Sequence, residues 1–235
     1  KVNQLLVRHP DPDVMLEDAC KTLAQTRRGC DMCWIARFDS DEHFLKLYAS
    51  DRIAAIEQMR RNLAEGEMPP CIRQALQTRE LVVMRRTETE PMDCPIADVG
   101  SQAGGIVAPI ARGEVLYGVL GVSVPETFVG DAEEHGLIVE IAHDLAFAMS
   151  AAASEKQLRH LKYVMEAIRD VNQLIVQERD PERLVDEACD ILGSAHEAYD
   201  ATWIVRVDEN QCPVYGFHRG VGAHTDAPEN WLSSG

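Results

Sequence analysis

The sequence predicts an α+β fold, and three observations support this class. A helix-like segment near the start is followed by alternating segments of strand and helix type up to about residue 153. A long helix-like segment closes this part, and a sequence repeat begins near residue 170. The expected organisation is therefore a complete domain at 1–153, a helical connector at 154–169 and the N-terminal part of a second domain at 170–235.

The internal repeat has an offset of 169 residues and needs no gap from Val2 to Asp39. The matched positions are Val2 to Val7 with Val171 to Val176, Asp11-Pro12 with Asp180-Pro181, Ala19-Cys20 with Ala188-Cys189, Leu23 with Leu192, and Asp31, Trp34, Ile35, Arg37 and Asp39 with Asp200, Trp203, Ile204, Arg206 and Asp208. This density of matches indicates two copies of one unit. We expect the second copy to continue past Gly235, because half a sheet leaves strand edges unpaired.

The first half of each copy opens on a helix and a hairpin. Asp11 before Pro12 is typical of a helix start, with an N-cap and a proline in the first turn. Met32 to Phe38 and Phe44 to Tyr48 have the composition of two strands joined by an acidic turn. A polar helix over 52–63 and a short helix over Cys71 to Gln77 are expected to follow.

The second half of the first copy contains the clearest hairpin. A short strand over Leu81 to Met84 and a polar loop over 85–102 precede it, and long loops of this kind are often functional. Gly105 to Ile110 and Val115 to Val124 form the predicted hairpin, whose second strand is apolar enough to be central. Asp131 then predicts the start of a helix that the alanines at 151–153 allow to continue.

The connector carries a heptad pattern. Its apolar positions alternate in steps of three and four residues, as in a coiled coil. The positions are Leu158, Leu161, Met165, Ile168, Asn172 and Ile175. One interpretation is a homodimeric coiled coil in which Asn172 sets the register. The other is that these side chains pack against their own domain.

Composition narrows the range of functions. The net charge is −16, from 23 Lys and Arg against 39 Asp and Glu, which disfavours binding to nucleic acid or to an anionic membrane surface. The sequence predicts no apolar run near the ~18–20 residues needed to cross a bilayer. The seven cysteines are odd in number and have no disulfide-like spacing, so we expect reduced thiols and a cytoplasmic location.

The ordered set of elements resembles the GAF fold of bacterial and archaeal sensor kinases. The resemblance is strongest over Gly104 to Met149, the closing hairpin and terminal helix, and extends to Trp34, Ile35 and Asp39 in the first strand. It implies an antiparallel sheet of about six strands with helices on both sides and a small-molecule pocket on one face. It also implies a homodimer and a C-terminal output domain such as a histidine kinase. It names no cofactor.

The candidate ligand-binding residues are Cys71 and Cys94, which lie near the pocket that the resemblance implies, and Trp34. For Trp34, which shares a strand face with Met32, Ala36 and Phe38, the other interpretation is core packing. Cys94 lies in "PMDCPIAD", where related domains often carry Cys-x-x-Cys-Pro, but Pro91 occupies the first cysteine position. A metal site of Cys94 with Asp93 and Asp98 is one interpretation, because thiolate and carboxylate are both metal ligands. The other is that the thiols are unconnected, one packed and one in a loop.

The cyclic-nucleotide and bilin signatures of the family are not matched. Phe128 is followed four residues on by Ala132, and no Asn-Lys precedes it. The function expected is thus a regulatory module that senses a small molecule of unknown identity and has no catalytic activity. The alternatives are a dimerisation scaffold with a vestigial pocket, and a thiol enzyme similar to free-methionine-sulfoxide reductases that uses Cys71 and Cys94.

Overall fold

The computed structural model describes residues 11–26, 32–39, 41–51, 53–85, 95–96, 103–194, 201–207 and 213–220. The chain forms two compact units, residues 1–153 and 154–235. The first unit contains α1 (Pro12–Thr26), β1 (Met32–Phe38), β2 (Phe44–Ala49), α2 (Ala54–Ala64), α3 (Pro70–Thr78), β3 (Val82–Met84), β4 (Ala103–Arg112), β5 (Val115–Pro125), the one-turn α4 (Glu126–Val129) and the start of α5 (Ala132–Gln177). The second unit contains the rest of α5, then α6 (Pro181–Ser194), β6 (Ala201–Val207) and β7 (Pro213–Gly220).

The sheet of the first unit is antiparallel, with strand order β2-β1-β5-β4-β3. The apolar strand β5 lies at its centre, as predicted, and pairs with β1 and β4. The α+β class and the GAF fold are confirmed, with five strands among the described residues of this unit where about six were expected.

One face of the sheet packs against α1 and the first part of α5. Leu16 and Cys20 of α1 and Ile138 and Leu145 of α5 are each fully buried against strand residues such as Ile106. These helix residues recur every three to four positions, so each helix presents one apolar stripe to the sheet. This layer is the first of two cores in the unit.

The other face of the sheet packs against α2 and α3. Ile56 and Met59 of α2 and Ile72 and Ala75 of α3 are fully buried in this second layer, which also receives alternate residues of β1. Because strand side chains alternate between faces, β1 contributes to both cores. The two layers place helices on both sides of the sheet, as the resemblance implied.

The predicted helix starts and the predicted hairpin are present. The carboxylate of Asp11 accepts a hydrogen bond from the backbone N–H of Asp13 at 2.9 Å, and that of Asp131 accepts one from Glu133 at 2.8 Å. The β4–β5 hairpin turns at Gly113, whose φ of +59° is a conformation that glycine adopts without strain.

The helix α5 is a single element of 46 residues. By length and composition it contains one segment apolar enough to cross a membrane, which corrects the expectation that no such run exists. Alanines and spaced large apolar residues make this segment apolar on average, although polar residues lie among them. Ile138, Ala142, Leu145 and Met149 of this helix are buried in the core of the first unit, which accounts for their apolar character.

The described part of the second unit repeats the opening of the first. Helix α6 begins at Pro181 after Asp180, and β6 and β7 pair as an antiparallel hairpin. Ala188 and Cys189 are buried, as are Ala19 and Cys20 at the matching positions of α1. Cys20 and Cys189 are therefore core residues of their units.

Candidate functional site

The candidate pocket face is the second layer of the first unit, between the sheet and helices α2 and α3. Trp34 on β1 is 2% exposed and Cys71 in the first turn of α3 is 3% exposed, and both belong to this apolar cluster. The alternation of β1 places Met32, Ala36 and Phe38 on the same face as Trp34. The structure thus brings together two of the three residues assigned to ligand binding, and their role stays a prediction.

The position of Trp34 depends on a glycine in the central strand. Trp34 pairs with Gly121 of β5, and a Cβ atom at Gly121 would overlap the indole ring. The ring therefore occupies the space that any larger residue at 121 would need. Sequence reasoning treated β5 as an apolar strand and did not identify Gly121 as the contact that seats Trp34.

The described side chains of this face are apolar. No polar or charged side chain is buried among the described residues of the chain. Sulfur is common on this face, where Met32, Met59 and Cys71 are buried and Met68 and Met84 are partly buried. Methionine is flexible and polarizable, so such a surface can adapt to irregular apolar shapes.

The predicted loop over 85–102 is described only at Arg85 and at Pro95–Ile96. Ile96 is partly buried and packs against the pocket-face cluster, so this point of the loop contacts the candidate face. Cys94, Asp93 and Asp98 lie outside the described residues. The proposed metal set and the third ligand-binding residue therefore stay predictions.

One group of potential metal ligands does occur among the described residues, in the turn between β1 and β2. Asp39, Asp41 and His43 each offer a ligand atom, and these atoms lie within 4.8 Å of one another. Hydrogen bonds from the backbone N–H groups of His43 and Asp41 lower the pKa of Asp39. The carboxylate of Asp39 thus organises the turn.

A charged network lies at the start of α1, where helix and hairpin meet. The Asp13 carboxylate accepts hydrogen bonds from Arg37 at 2.8 Å, Lys46 at 2.7 Å and Tyr48 at 2.5 Å. The hydrogen bonds from Lys46 and Tyr48 lower the pKa of Asp13, while burial and the bond to Asp13 raise that of the Tyr48 hydroxyl. The network fixes α1 on the β1–β2 hairpin.

The predicted heptad residues are solvent-exposed on α5. Leu158, Leu161, Met165, Ile168 and Ile175 are 49 to 67% exposed, and Asn172 is exposed as well. Packing against the described part of their own domain therefore does not cover these side chains. The coiled-coil interpretation stays a prediction.

The opposite side of the same helix segment faces α6. A groove of about 420 Å³ is lined by Tyr163, Glu166, Ala167, Asp170, Asp190, Ile191 and Ser194. At about 3.6 residues per turn, the lining residues of α5 project roughly half a turn away from the heptad residues. Among the described residues of the second unit, α6 thus packs on one side of α5 and the heptad side stays exposed.

The family model of the GAF domain matches residues 9–150, which is more than half of the chain. The chain belongs to the GAF domain family. GAF domains are a family of regulatory modules that commonly bind small ligands, and they occur in signalling proteins with output domains. No curated protein shows a significant match to the chain.

Solved structures with the GAF fold resemble the first unit. The GAF domain of a phosphoenolpyruvate-protein phosphotransferase from Coxiella burnetii is 16% identical, with a TM-score of 0.50 over 66% of this chain and 92% of that chain. Free methionine-R-sulfoxide reductase from Neisseria meningitidis, solved in complex with its substrate, is 13% identical, with a TM-score of 0.50 over 66% and 87%. At these identities the similarity shows the fold alone.

A third structure aligns with both units of the GAF chain. It is a bacteriophytochrome from the photosynthetic bacterium R. palustris, with 12% identity and a TM-score of 0.60. The alignment covers 99% of this chain and 51% of that chain. This one alignment therefore spans the first unit and the described start of the second unit, both of which contain part of α5.

Proposed function

We propose that this chain is the sensory region of a cytoplasmic signalling protein, which binds a small molecule and relays its presence to an output domain outside the chain. The observation that carries the proposal is the dual role of α5. Its first part is buried in the core of the first unit, with Ile138 and Leu145 fully covered, and its later part carries an exposed heptad pattern. A change in the core thus acts on the element that continues toward the second unit.

The pocket face supports an uncharged ligand of largely apolar character. A charged ligand in an apolar site needs a buried partner of opposite charge, and no described charged side chain is buried. Trp34, Met59 and Cys71 provide aromatic and sulfur surfaces instead. The adjacent loop around Ile96 is the element that a ligand on this face would displace first.

The relay is proposed to run through a homodimer. Five large apolar side chains, each about half or more exposed on one helix, match the surface that two identical helices bury in a coiled coil. A ligand that favours one of two helix arrangements would shift their populations, which is the requirement for allostery. The heptad residues of α5, which form the proposed dimer seam, are the proposed two-state element. The proposed output domain, of the histidine kinase type, would respond to the change in their arrangement.

Native mass spectrometry of protein purified anaerobically with reductant tests ligand and dimer together. An organic mass that is lost in the Gly121→Ala variant, whose added Cβ overlaps Trp34, supports the pocket if circular dichroism shows that the variant stays folded. An added mass of about 56 Da per chain would instead indicate one iron and favour the site of Cys94, Asp93 and Asp98. A bare monomer at all concentrations would overturn the proposal.

Deleting one residue within 154–168 tests the relay in the full-length protein. The deletion turns the downstream helix by about 100°, which breaks the heptad register. Ligand affinity should stay unchanged while the output no longer responds. Deleting seven residues is the matched control, because it restores the register, and signalling that survives the one-residue deletion would exclude the connector as transmitter.

A scaffold with a vestigial pocket is the second candidate, and one observation favours it. The ring of Trp34 fills the space over Gly121, so the described part of the pocket face is already packed. A dimer that never carries a bound mass, and that is not stabilised thermally by any compound screened, would support the scaffold.

Catalysis by thiols is not part of the proposal. A nucleophilic cysteine has to be reachable by its substrate, and Cys71 is 3% exposed within an apolar cluster. Turnover of free methionine sulfoxide that is lost in Cys71→Ser or Cys94→Ser would overturn this assignment. We expect no turnover in the parent protein.

A further inference from the structure

Phe147 is an exposed aromatic residue on the part of α5 that belongs to the first unit. It is 60% exposed, although its neighbours Ala146 and Ala148 are buried in the core. It lies fourteen residues, or two heptads, before Leu161 on the same continuous helix. Phe147 thus occupies the same heptad position, d, as Leu161, Ile168 and Ile175.

The side chain of Phe147 is held by the tip of the β4–β5 hairpin. The guanidinium of Arg112 lies 4.8 Å from the centre of the Phe147 ring, and its Nη1 donates a hydrogen bond to the Ser150 hydroxyl at 3.0 Å. An aromatic face attracts a cation that lies over it. The hydrogen bond to Ser150 fixes the direction from which the Arg112 guanidinium approaches the ring. Arg112 therefore fixes an apolar ring in a solvent-exposed position.

The heptad positions on either side of Phe147 define where an interface would end. Ala151 and Ser154 fill the next a and d positions, and both are exposed and small, which lets two helices approach closely. Upstream, Glu140 and Asp144 fill the d and a positions. In a parallel homodimer each would face the same charge on the partner, so the helices are expected to separate there.

We propose that the homodimer interface extends N-terminally beyond the connector to Phe147, which packs against Phe147 of a second copy of this chain. The inference rests on the proposed function, because it requires the parallel dimer on residues 158–175. Arg112 is a positioning residue that orients the ring from the hairpin tip. The tip of the β4–β5 hairpin thereby contacts the N-terminal end of the proposed dimer interface.

Photo-crosslinking tests this contact in the full 235-residue chain. With p-benzoylphenylalanine in place of Phe147, irradiation should give a covalent dimer whose cross-link maps to residues 143–151 of the second copy. The same amino acid at Leu161 is the positive control within the connector. At Gln74, which is exposed on α3 on the opposite face of the sheet, it should give no covalent dimer.

Three further variants separate contact from positioning. Phe147→Ala should raise the dimer dissociation constant by about tenfold or more, since two rings leave the interface. Arg112→Gln should lower the cross-linking yield at 147 by about threefold, with partial recovery in Arg112→Lys, which restores the cation. An unchanged yield in Arg112→Gln would overturn the positioning role.

The outcomes distinguish this inference from the proposed function. Cross-linking at 161 without cross-linking at 147, or a cross-link from 147 to a distant segment, overturns the extension while the connector dimer stands. A chain that is monomeric by native mass at every concentration overturns both. A covalent dimer through 147 that maps to 143–151 supports both.

Discussion

The two units open on the same segment of sequence, and the described structure repeats almost residue for residue. Helix α1 starts at Pro12 and α6 at Pro181, while β1 spans Met32–Phe38 and β6 spans Ala201–Val207. Even the irregularity in the hairpin recurs, since the register shifts between Arg37 and Phe38 and again between Arg206 and Val207. Local sequence is therefore sufficient to specify the helix, the strands and their register.

Burial is where the two copies differ. Met15, Leu16 and Leu23 of α1 are 0 to 3% exposed, whereas their counterparts Leu184, Val185 and Leu192 of α6 are only half-buried. The first copy contributes a five-stranded sheet and α5 to cover its helix, and the described second copy contributes a two-stranded hairpin. The difference shows that the opening segment forms locally but is stabilised by the elements that follow it.

The largest expected effect is on a leucine present in both copies. Leu23→Ala should destabilise the first unit by about 3 kcal/mol, because it removes a buried side chain and leaves a cavity. Leu192→Ala should cost about 1 kcal/mol, since the same side chain is half-buried on α6. Hydrogen exchange of the α1 and α6 peptides in urea would measure each loss separately.

The leucine pair is also the most direct test of the difference in burial between α1 and α6. Each variant acts as the control for the other, because residue type and helix position are the same. Equal losses at the two sites would mean that α6 is buried in solution as deeply as α1.

The second prediction concerns an element for which the described second copy has no counterpart. Gly121→Ala should destabilise the first unit by about 2 kcal/mol, because the added Cβ overlaps the ring of Trp34. Urea denaturation followed by the shift in tryptophan emission measures both the loss and the exposure of the ring.

Gly136→Ala is the matched control for Gly121→Ala. Gly136 lies in α5 with open space around its Cβ position, so alanine should stabilise the helix by about 0.5 kcal/mol. Opposite signs from the same substitution would tie the effect at 121 to the indole contact. A neutral Gly121→Ala would show that Trp34 moves freely on the pocket face.

The sequence predicted the elements better than it predicted the site. Strands β1 and β5 and the start of α5 follow from alternation, apolar runs and capping residues, which act over a few neighbouring positions. The seating of Trp34 on Gly121 joins two residues 87 positions apart, and nothing local to either one indicates the contact. The exposure of the heptad residues depends on which side of α5 packs against α6, and the heptad pattern alone does not indicate that side.

The third prediction uses the Asp13 network, whose residues are only partly repeated in the sequence of the second copy. Asp13→Asn should destabilise the first unit by about 1 kcal/mol at neutral pH, a value reduced for the 38% exposure of the carboxylate. The second copy has Glu182, Tyr215 and Phe217 where the first has Asp13, Lys46 and Tyr48. Glu182→Gln should therefore change stability much less, as thermal unfolding of both variants can show.

The pH dependence of this effect has a defined sign. The pKa of Asp13 is lower in the folded protein than its ordinary value, so its contribution is fully present above about pH 4. It is lost as the pH falls through the lowered pKa, because the protonated carboxyl binds Lys46 less strongly. The stability difference between the parent protein and Asp13→Asn should thus shrink below that pH, and a difference that persists would exclude the charge as its origin.

The smallest expected effect is at the helix starts, where the two copies should behave alike. The carboxylates of Asp11 and Asp180 each accept a backbone hydrogen bond at 2.9 Å, from Asp13 and Glu182 respectively. Asp11→Ala and Asp180→Ala should each weaken their helix by about 0.5 kcal/mol, measured as faster amide exchange in the first turn. Equal effects here with unequal effects at Leu23 and Leu192 would separate local from tertiary stabilisation, because capping depends on neighbours in sequence and burial on the rest of the unit. A much larger effect at Asp11 would mean that the cap of α1 also supports the neighbouring Asp13 network.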